Sequence, residues 1–285
     1  MNSEEFEKIS EFVQKSSGIV LSQSKEYLVD SRLKPIAEAH GYEDVSALAR
    51  GLMLAPEAVK LAVTDAMTTN ETFFFRDKTP FKLFEDVILP EIAKARRSTG
   101  KIRIWCAAAS TGQEPYSIAM LLLKHKRLWA GLSVEIMATD LSPSAIEKAK
   151  QGRYTQFEVQ RGLPVELLVA HFTQDGTHWI VSDAIKRMVK FSQFNLLGNY
   201  GSIGVFDVVY CRNVLIYFDG DTKRQVLASV RKVMKPDGYL VLGAADTVIG
   251  SNGEFERAAA RGLYQPVEAR KLREGGQGVP SALAS

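Results

Sequence analysis

The sequence predicts an α/β protein in which an N-terminal helical bundle precedes a doubly wound, Rossmann-like domain with a small antiparallel β-subdomain inserted. Apolar residues recur at helical spacing up to about residue 67, and strand and helix patterns alternate after about residue 100. Such alternation is typical of a parallel sheet with helices on both faces. Residues 152–193 break the alternation with short strand-like segments and a turn at Asp175-Gly176, so we expect an antiparallel insertion there.

Composition narrows the possible classes of protein. The 285 residues are 46% hydrophobic and 24% charged, which is typical of a globular chain with room for two domains. No window reaches the roughly 18 apolar residues of a membrane span, and the acidic N-terminus does not resemble a secretory signal. Two cysteines are too few for a disulfide framework, and no cluster of cysteine and histidine has the spacing of a zinc site, so we expect no metal and a cytoplasmic location. The net charge of +3 is too small to indicate nucleic-acid binding.

The charge is divided unevenly along the chain. Residues 1–69 contain 7 basic and 11 acidic side chains, whereas the remaining residues contain 29 basic and 22 acidic side chains. This change coincides with the change in hydrophobic pattern. The expected organisation is a helical domain at 1–69, a linker motif and helix at 70–98, an α/β domain at 99–270 with its inserted β-subdomain at 152–193, and a disordered tail at 271–285.

The helical block is predicted from apolar faces and from start and stop signals. Asn2 and Glu5 can form a capping box before the first helix, and Gly18 is placed to end it. The later helices of this block are expected at 25–40, 45–52 and 57–67. The second of them carries three basic residues, Lys25, Arg32 and Lys34, although the block as a whole is acidic.

The α/β block follows from apolar runs and the turns between them. An amphipathic helix at 78–97 leads into it. Strands are expected at 102–106, 134–139, 206–211 and 239–244, and helices at 114–126, 143–150 and 219–234. Ser142 can cap the second of these helices. In the insertion, 179–181 and 188–191 are the candidate strands.

Three features fall where an open α/β sheet binds ligands, beyond the carboxyl ends of its strands. Small residues at 107–112 allow a ligand to approach the backbone, Asp140 follows the second strand, and 211–213 follow a later strand. A carboxylate in the position of Asp140 commonly binds the ribose hydroxyls of an adenosine cofactor. The loop at 107–112 has one glycine and lacks the phosphate-binding GxGxxG fingerprint, which favours S-adenosylmethionine over NAD or ATP.

Each candidate residue also has an ordinary structural interpretation. Asp140 could cap the helix that follows it, although Ser142 competes for that position. Glu114 could only complement a helix dipole, and Asn195 could be a turn residue. The two cysteines are expected to be core packing, because no histidine or lysine accompanies them in the sequence.

Five segments taken together resemble the signature set of the CheR-type chemotaxis methyltransferases. In chain order they are TNETFFFR at 69–76, AAASTGQEPYS at 107–117, ATD at 138–140, NLL at 195–197 and CRNVLIYF at 211–218. The resemblance covers nearly the whole chain, up to about residue 267. It implies S-adenosylmethionine as cofactor, S-adenosylhomocysteine as product, and glutamates on the cytoplasmic helices of bacterial chemoreceptors as substrates. The implied architecture is a helical domain, a linker helix and a methyltransferase domain with an inserted β-subdomain.

The resemblance also implies a role for each matching position. Arg76 and Tyr217 are the catalytic-site pair of the family. The implied cofactor-binding residues are Asn70, Thr72, Arg76, Glu114, Asp140, Asn195, Leu196, Arg212 and Asn213. Glu114 would bind the methionine part and Asp140 the ribose, whereas Asn195 and Leu196 would contact the adenine. Gln113 stands where the family more often has glutamate, and we expect little consequence because Glu114 matches.

The expected function is O-methylation of receptor glutamates at chemoreceptor arrays, without nucleic-acid binding or insertion into the membrane. A glutamate carboxylate has an ordinary pKa of about 4.3, so it is already nucleophilic at neutral pH and needs no general base. Methylation of a small molecule or RNA is an alternative, but the chain lacks an Asn-Pro-Pro-Tyr-like segment at 211–214. A second alternative function is that of a noncatalytic regulator that binds S-adenosylmethionine, and the presence of Arg76 and Tyr217 disfavours it.

Overall fold

Two structural parts follow one another along the chain, an all-helical domain and a mixed α/β domain. The computed structural model describes residues 1–248, 253–258 and 260–269, so the tail expected at 271–285 lies outside the described residues. Within those ranges, no helix combines the length and the apolar character that crossing a membrane requires.

The helical domain has a hydrophobic core of its own. Its helices are α1 (Ser3–Ser17), α2 (Glu26–Ala39), α3 (Val45–Gly51) and α4 (Glu57–Met67), with 3-10 turns at Gln23–Lys25 and Leu52–Leu54. The capping box of Asn2 and Glu5 is confirmed, and α1 ends at Gly18, whose φ of 79° is left-handed. Apolar residues from all four helices, among them Ile9, Leu33, Leu48 and Val63, are fully buried against one another.

Arg32 of α2 is bound by the end of α4. Its Nη1 donates hydrogen bonds to the carbonyl oxygens of Ala66, Met67 and Thr68, at 3.4, 3.3 and 2.8 Å. The last carbonyls of a helix have no partners within the helix, and a cation is favourable there. Arg32 therefore caps α4. Its place in a basic cluster suggested a side chain free to contact a partner, but the guanidinium is bound within the domain.

The linker helix contains a widened turn. The helix expected at 78–97 is observed as α5 (Thr79–Leu83), a π-helical turn (Phe84–Ile88) and α6 (Leu89–Ala95). Pro90 has no N–H to donate to the preceding turn. The N–H of Leu89, the residue before it, bonds to the carbonyl of Phe84, five residues back, where a regular α-helix would bond four residues back. The proline thus explains why the helix widens at this point.

The α/β domain contains two sheets. Its strands are β1 (Lys101–Ala107), β2 (Ser133–Asp140), β3 (Arg153–Thr155), β4 (Phe172–Asp175), β5 (His178–Val181), β6 (Val189–Gln193), β7 (Phe206–Cys211), β8 (Met234–Leu242), β9 (Phe255–Arg257) and β10 (Leu263–Pro266). In the described part of the chain, the main sheet has the order β6-β2-β1-β7-β8-β10-β9 and the small sheet the order β3-β5-β4. The first five strands of the main sheet are parallel, whereas β10 and β9 are antiparallel.

Helices cover and connect these strands. They are α7 (Gln113–Lys124), α8 (Pro143–Gln151), α9 (Gln156–Gln160), α10 (Val165–His171), α11 (Asp183–Lys186) and α12 (Gly220–Lys232), with 3-10 turns at Tyr200–Ser202 and Leu215–Tyr217. Ser142 caps α8 as predicted, since its Oγ accepts a hydrogen bond from the Ala145 N–H. The reversal of strand order beside β1 places the loops after β1 and β7 at one edge of the sheet.

One predicted strand was assigned to the wrong sheet. We expected 188–191 to belong to the antiparallel insertion, but β6 pairs in parallel with β2, with Val189 opposite Ile136. The short helix α11 returns the chain to the main sheet, where Ile185 and Val189 are both buried. Apolar alternation indicates that a segment is a strand but not which strand it pairs with. The antiparallel sheet of the insertion is therefore formed by β3, β4 and β5 alone among the described residues.

A buried cluster of charges joins the linker helix to the sheet. The fully buried Asp207 accepts hydrogen bonds from Arg96 Nε through Oδ1 and from the Arg103 N–H through Oδ2. The Nζ of Lys235 lies 2.9 Å from Asp207 Oδ1. The two terminal nitrogens of Arg96 bind Asp237 at 2.7 and 2.5 Å. Each carboxylate oxygen of Asp207 is thus paired, as a buried charge requires.

Candidate active site

A cavity opens beyond the carboxyl ends of the parallel strands, beside the helical domain. It contains about 870 Å³ of space free of protein atoms, with the open solvent at its mouth included. The structure brings all ten residues predicted from the sequence to its lining: Asn70, Thr72, Arg76, Glu114, Asp140, Asn195, Leu196, Arg212, Asn213 and Tyr217. The predicted positions therefore form one site, and the role of each residue in it stays a prediction.

The loop between β1 and α7 is folded tightly against this cavity. Ala108 and Ser110 have φ of 56° and 51°, in the left-handed region that costs energy for residues other than glycine. Gly112, with φ of 94°, is the N-cap of α7, and a Cβ there would lie 2.9 Å from the Cβ of Ala149. The one glycine of the loop is thus required by close packing on α8, and the small residues before it let the backbone form the cavity floor.

Asp140 ends β2 and lies almost fully buried at the cavity. Its Oδ2 accepts a hydrogen bond from the Ser110 N–H at 2.7 Å, and its Oδ1 accepts one from the Ser142 N–H at 2.9 Å. Burial raises the pKa of this carboxyl above its ordinary value, and the two backbone donors act in the opposite direction. Because Ser142 is the cap of α8, the interpretation of Asp140 as a capping residue is wrong.

Two buried charges of opposite sign, on Glu114 and Arg212, form an ion pair in the cavity lining. Arg212 Nη1 donates to Glu114 Oε2 at 2.7 Å, and Arg212 Nη2 donates to Asp77 Oδ2 at 2.8 Å. Burial raises the pKa of Glu114, and the neighbouring guanidinium partly offsets this. Glu114 therefore does more than complement the dipole of α7. The Nε of Arg212 is buried without an acceptor among the described residues.

Arg76 reaches the cavity from the linker motif. Phe74 and Phe75, immediately before it, are buried, and the Phe75 N–H bonds to Ser117 Oγ at 3.1 Å. The Nη1 of Arg76 donates to the carbonyl oxygen of Glu71 at 2.6 Å. No carboxylate among the described residues forms an ion pair with Arg76, since Asp77 pairs with Arg212 and the Glu71 carboxylate with Arg161. The aromatic run thus anchors the linker and leaves the charge of Arg76 available.

The helical domain supplies one side of the cavity, which the sequence did not reveal. Ser17 and Ile19, at and just after the end of α1, line it. Asn195 Nδ2 donates to the Ser16 carbonyl at 2.7 Å, and the Val20 N–H donates to the Tyr217 carbonyl at 2.9 Å. Gly18 marked the end of α1 in the sequence, but no local pattern indicates what a helix end will contact.

Asn195 is a turn residue that also lies at the cavity. Its Oδ1 accepts a hydrogen bond from the Leu197 N–H at 2.9 Å, which is a side-chain turn typical of asparagine. The same residue lines the cavity and holds the end of α1 through its amide nitrogen. A turn residue is therefore also a lining residue here.

The two cysteines are buried in the core. Burial is the main cause that raises the pKa of both Cys106 and Cys211 well above the ordinary value of a thiol. Both thiols are therefore protonated at neutral pH and are poor nucleophiles, in agreement with core packing. Among the described residues, no group of three or more histidine, cysteine or acidic side chains could hold a metal ion.

Comparison with known proteins identifies the family. Residues 70–263 match the SAM-binding domain of CheR methyltransferases, and residues 4–68 match the all-alpha domain of CheR methyltransferases. The chain is 42% identical over 248 residues to Chemotaxis protein methyltransferase 1 of Pseudomonas aeruginosa, covering 86% of this chain and 90% of that protein. It is 40% identical over 258 residues to Chemotaxis protein methyltransferase Cher2 of Pseudomonas putida, covering 88% and 93%. With both domains matched, the chain belongs to the CheR methyltransferase family and uses S-adenosylmethionine as its methyl donor.

Proposed function

We propose that this protein transfers a methyl group from S-adenosylmethionine to glutamate side chains on the cytoplasmic helices of chemoreceptors, where it acts at receptor arrays in the cytoplasm. The observation that carries the choice of a carboxylate substrate is Arg76. Arg76 lines the cavity, and its guanidinium forms no ion pair among the described residues. An incoming carboxylate would provide the anion that a guanidinium binds best, through two parallel hydrogen bonds.

The reaction requires alignment of the attacking oxygen with the methyl group and does not require a proton transfer. S-adenosylmethionine supplies a methyl group on a positively charged sulfur, from which an attacking oxygen can displace it in line. With an ordinary pKa of about 4.3, the glutamate carboxylate attacks in its ionised form. In this proposal Arg76 binds the carboxylate and the Tyr217 hydroxyl donates a hydrogen bond that turns one oxygen toward the methyl group.

The cavity offers complementary groups for each part of the methyl donor. The ion pair of Glu114 and Arg212 presents both signs of charge to the ammonium and carboxylate of the methionine part. Asp140 would accept hydrogen bonds from the ribose hydroxyls, because each of its oxygens has one backbone donor and further acceptor capacity. The adenine would contact Asn195 and Leu196, and the cofactor site would be completed by the remaining lining residues Asn70, Thr72 and Asn213.

The assignment of Asp140 is tested by removing its carboxylate. We expect Asp140→Ala to weaken binding of both S-adenosylmethionine and S-adenosylhomocysteine by about 1.5–3 kcal/mol, the range for hydrogen bonds to a charged group. This corresponds to a roughly 10- to 150-fold higher Kd, measured by titration calorimetry. Asp86→Ala removes an exposed carboxylate of the linker helix and should bind both compounds as the wild type does. Unchanged affinity in correctly folded Asp140→Ala would exclude Asp140 from the ribose site.

Turnover on a receptor fragment distinguishes the proposed function from its alternatives. The purified chain is incubated with labelled S-adenosylmethionine and a cytoplasmic receptor fragment, and the fragment is then treated with alkali. Labelled methanol released by alkali indicates a carboxyl methyl ester, as we expect. Label transferred to RNA or to a small molecule in parallel incubations, with none on the receptor fragment, would contradict the proposal. Tight cofactor binding without any transfer would support the noncatalytic regulator.

The basic surface of α2 is proposed to contact the receptor. Lys34 is exposed and Lys25 is half-buried, whereas Arg32 is occupied in capping α4. We expect Lys34→Glu to raise the apparent KM for the receptor fragment two- to fivefold at low salt, since an exposed ion pair contributes about 0.2–1 kcal/mol. Lys126→Glu, in the α/β domain, is the matched charge reversal and should leave the KM unchanged. A KM for Lys34→Glu equal to that of the wild type at low salt would exclude this surface.

A further inference from the structure

The turn between α9 and α10 of the insertion packs directly on the linker motif. Gly162 in this turn has φ of 87°, and a Cβ there would lie 2.2 Å from the Phe74 carbonyl oxygen and 3.2 Å from Phe73 Cδ2. No side chain fits between the two backbones, so glycine is required at this position. The insertion thus supports the segment from which Arg76 extends.

Arg161, the residue before this glycine, reaches the same segment with its side chain. Its Nη2 donates a hydrogen bond to Glu71 Oε1 at 2.8 Å. Its guanidinium carbon lies 4.3 Å from the centroid of the Phe73 ring, and that of Arg76 lies 5.7 Å from the same centroid. Both guanidinium groups therefore contact Phe73.

Glu71 holds the two arginines through different groups. Its carboxylate accepts from Arg161, whereas its main-chain carbonyl accepts from Arg76 at 2.6 Å. The hydrogen bond from Arg161 is the main cause that lowers the pKa of Glu71, and the charge of Arg76 adds to the effect. The charge of Arg76 thus acts on the Glu71 carboxylate, but the hydrogen bond to that carboxylate comes from Arg161.

This arrangement has a consequence for the charge of Arg76. Without Arg161, the Glu71 carboxylate would be the nearest unpaired anion on the linker and would compete with a substrate carboxylate for Arg76. The side chains of Arg161 and Glu71 are 43% and 60% exposed, so their ion pair contributes at most about 1 kcal/mol to stability. Removing Arg161 should therefore leave the fold intact.

We propose that Arg161 is a positioning residue for methyl transfer, which occupies the Glu71 carboxylate and so keeps Arg76 available for the substrate. Arg161 is not among the residues that line the cavity, and it acts through Glu71. The inference rests on the proposed function, because it assigns to Arg76 the binding of a substrate carboxylate.

The kinetic test uses rescue by a second substitution. We expect Arg161→Ala to lower kcat on a receptor fragment five- to tenfold with unchanged affinity for S-adenosylmethionine. Arg161→Ala combined with Glu71→Gln should recover most of the lost kcat, because the competing charge is removed while the main-chain carbonyl remains. Arg153→Ala is the matched control, since Arg153 forms an ion pair with Asp175 in the same insertion at similar exposures of 41% and 58%. It should leave kcat unchanged.

A second measurement does not depend on turnover. In spectra of arginine-labelled protein, the Nε–Hε resonance of Arg76, assigned with Arg76→Lys, should shift in Arg161→Ala and return in the double variant. A resonance that does not move, or a kcat loss that Glu71→Gln does not relieve, would overturn the inference. A wild-type protein that forms no methyl ester on the receptor fragment would instead refute the proposed function, and the resonance would still decide whether Arg161 controls Arg76.

Discussion

Replacement of Arg76 by alanine is expected to lower kcat for receptor methylation about 10²-fold, the size of effect that misalignment of reacting groups produces. The fold should survive, because the linker is anchored by the buried rings of Phe74 and Phe75 and not by the guanidinium. Steady-state turnover of a receptor fragment at saturating S-adenosylmethionine measures the effect, and circular dichroism verifies the fold.

Two further substitutions refine this expectation. Arg76→Lys should restore only part of the lost kcat, since an ammonium group cannot bind a carboxylate through two parallel hydrogen bonds. Tyr217→Phe should lower kcat less than Arg76→Ala does, because the ring stays at the cavity and only the hydroxyl is lost. Near-normal turnover by Arg76→Ala would show that Arg76 takes no part in the chemistry.

Replacement of Asp207 by alanine should have the largest effect on stability. The substitution removes the acceptor shared by Arg96, Lys235 and the Arg103 N–H, and it leaves Arg96 buried with one carboxylate instead of two. Breaking a buried ion pair on one side costs about 3–5 kcal/mol of unfolding free energy. Urea unfolding at neutral pH, followed by circular dichroism, measures this loss.

Asp237 provides the comparison for this experiment. It binds the same guanidinium, but its side chain is 39% exposed, so water can replace it more easily. Asp237→Ala should therefore destabilise the protein less than Asp207→Ala does. The free energy of unfolding of Asp207→Ala could instead lie within about 1 kcal/mol of the wild-type value, which is the scale of an exposed ion pair. That result would show that the cluster does not secure the linker helix to the sheet.

Features that depend on neighbouring residues could be predicted from the sequence. The capping box of Asn2 and Glu5 and the cap formed by Ser142 each join residues three positions apart, and both are confirmed. Most of the cavity lining could also be predicted from the fold, because parallel strands bring their carboxyl ends to one edge and four of the five family motifs fall on those ends. The motif at 69–76 lies on the linker, and only the resemblance to the family placed it at the site.

Features that depend on distant pairings could not be predicted in this way. The period of β6 indicated a strand, but its partner was set by the return of the chain through α11. Arg32 was grouped with two lysines because of its charge, and only the packing of α2 on α4 places it at three carbonyl oxygens. Arg161 and Glu71 are 90 residues apart, and neither position shows a pattern that indicates their contact.

The junction of the helical domain with the cavity bears on how such a protein can diverge. Two of the bonds that hold the end of α1 in place use main-chain atoms of this domain, since the Ser16 carbonyl accepts one and the Val20 N–H donates the other. Side chains on the outer surface of the domain can therefore be exchanged over evolutionary time without loss of these bonds. In the proposed function, the receptor contacts made by that surface can thus change while these main-chain contacts at the cavity are kept.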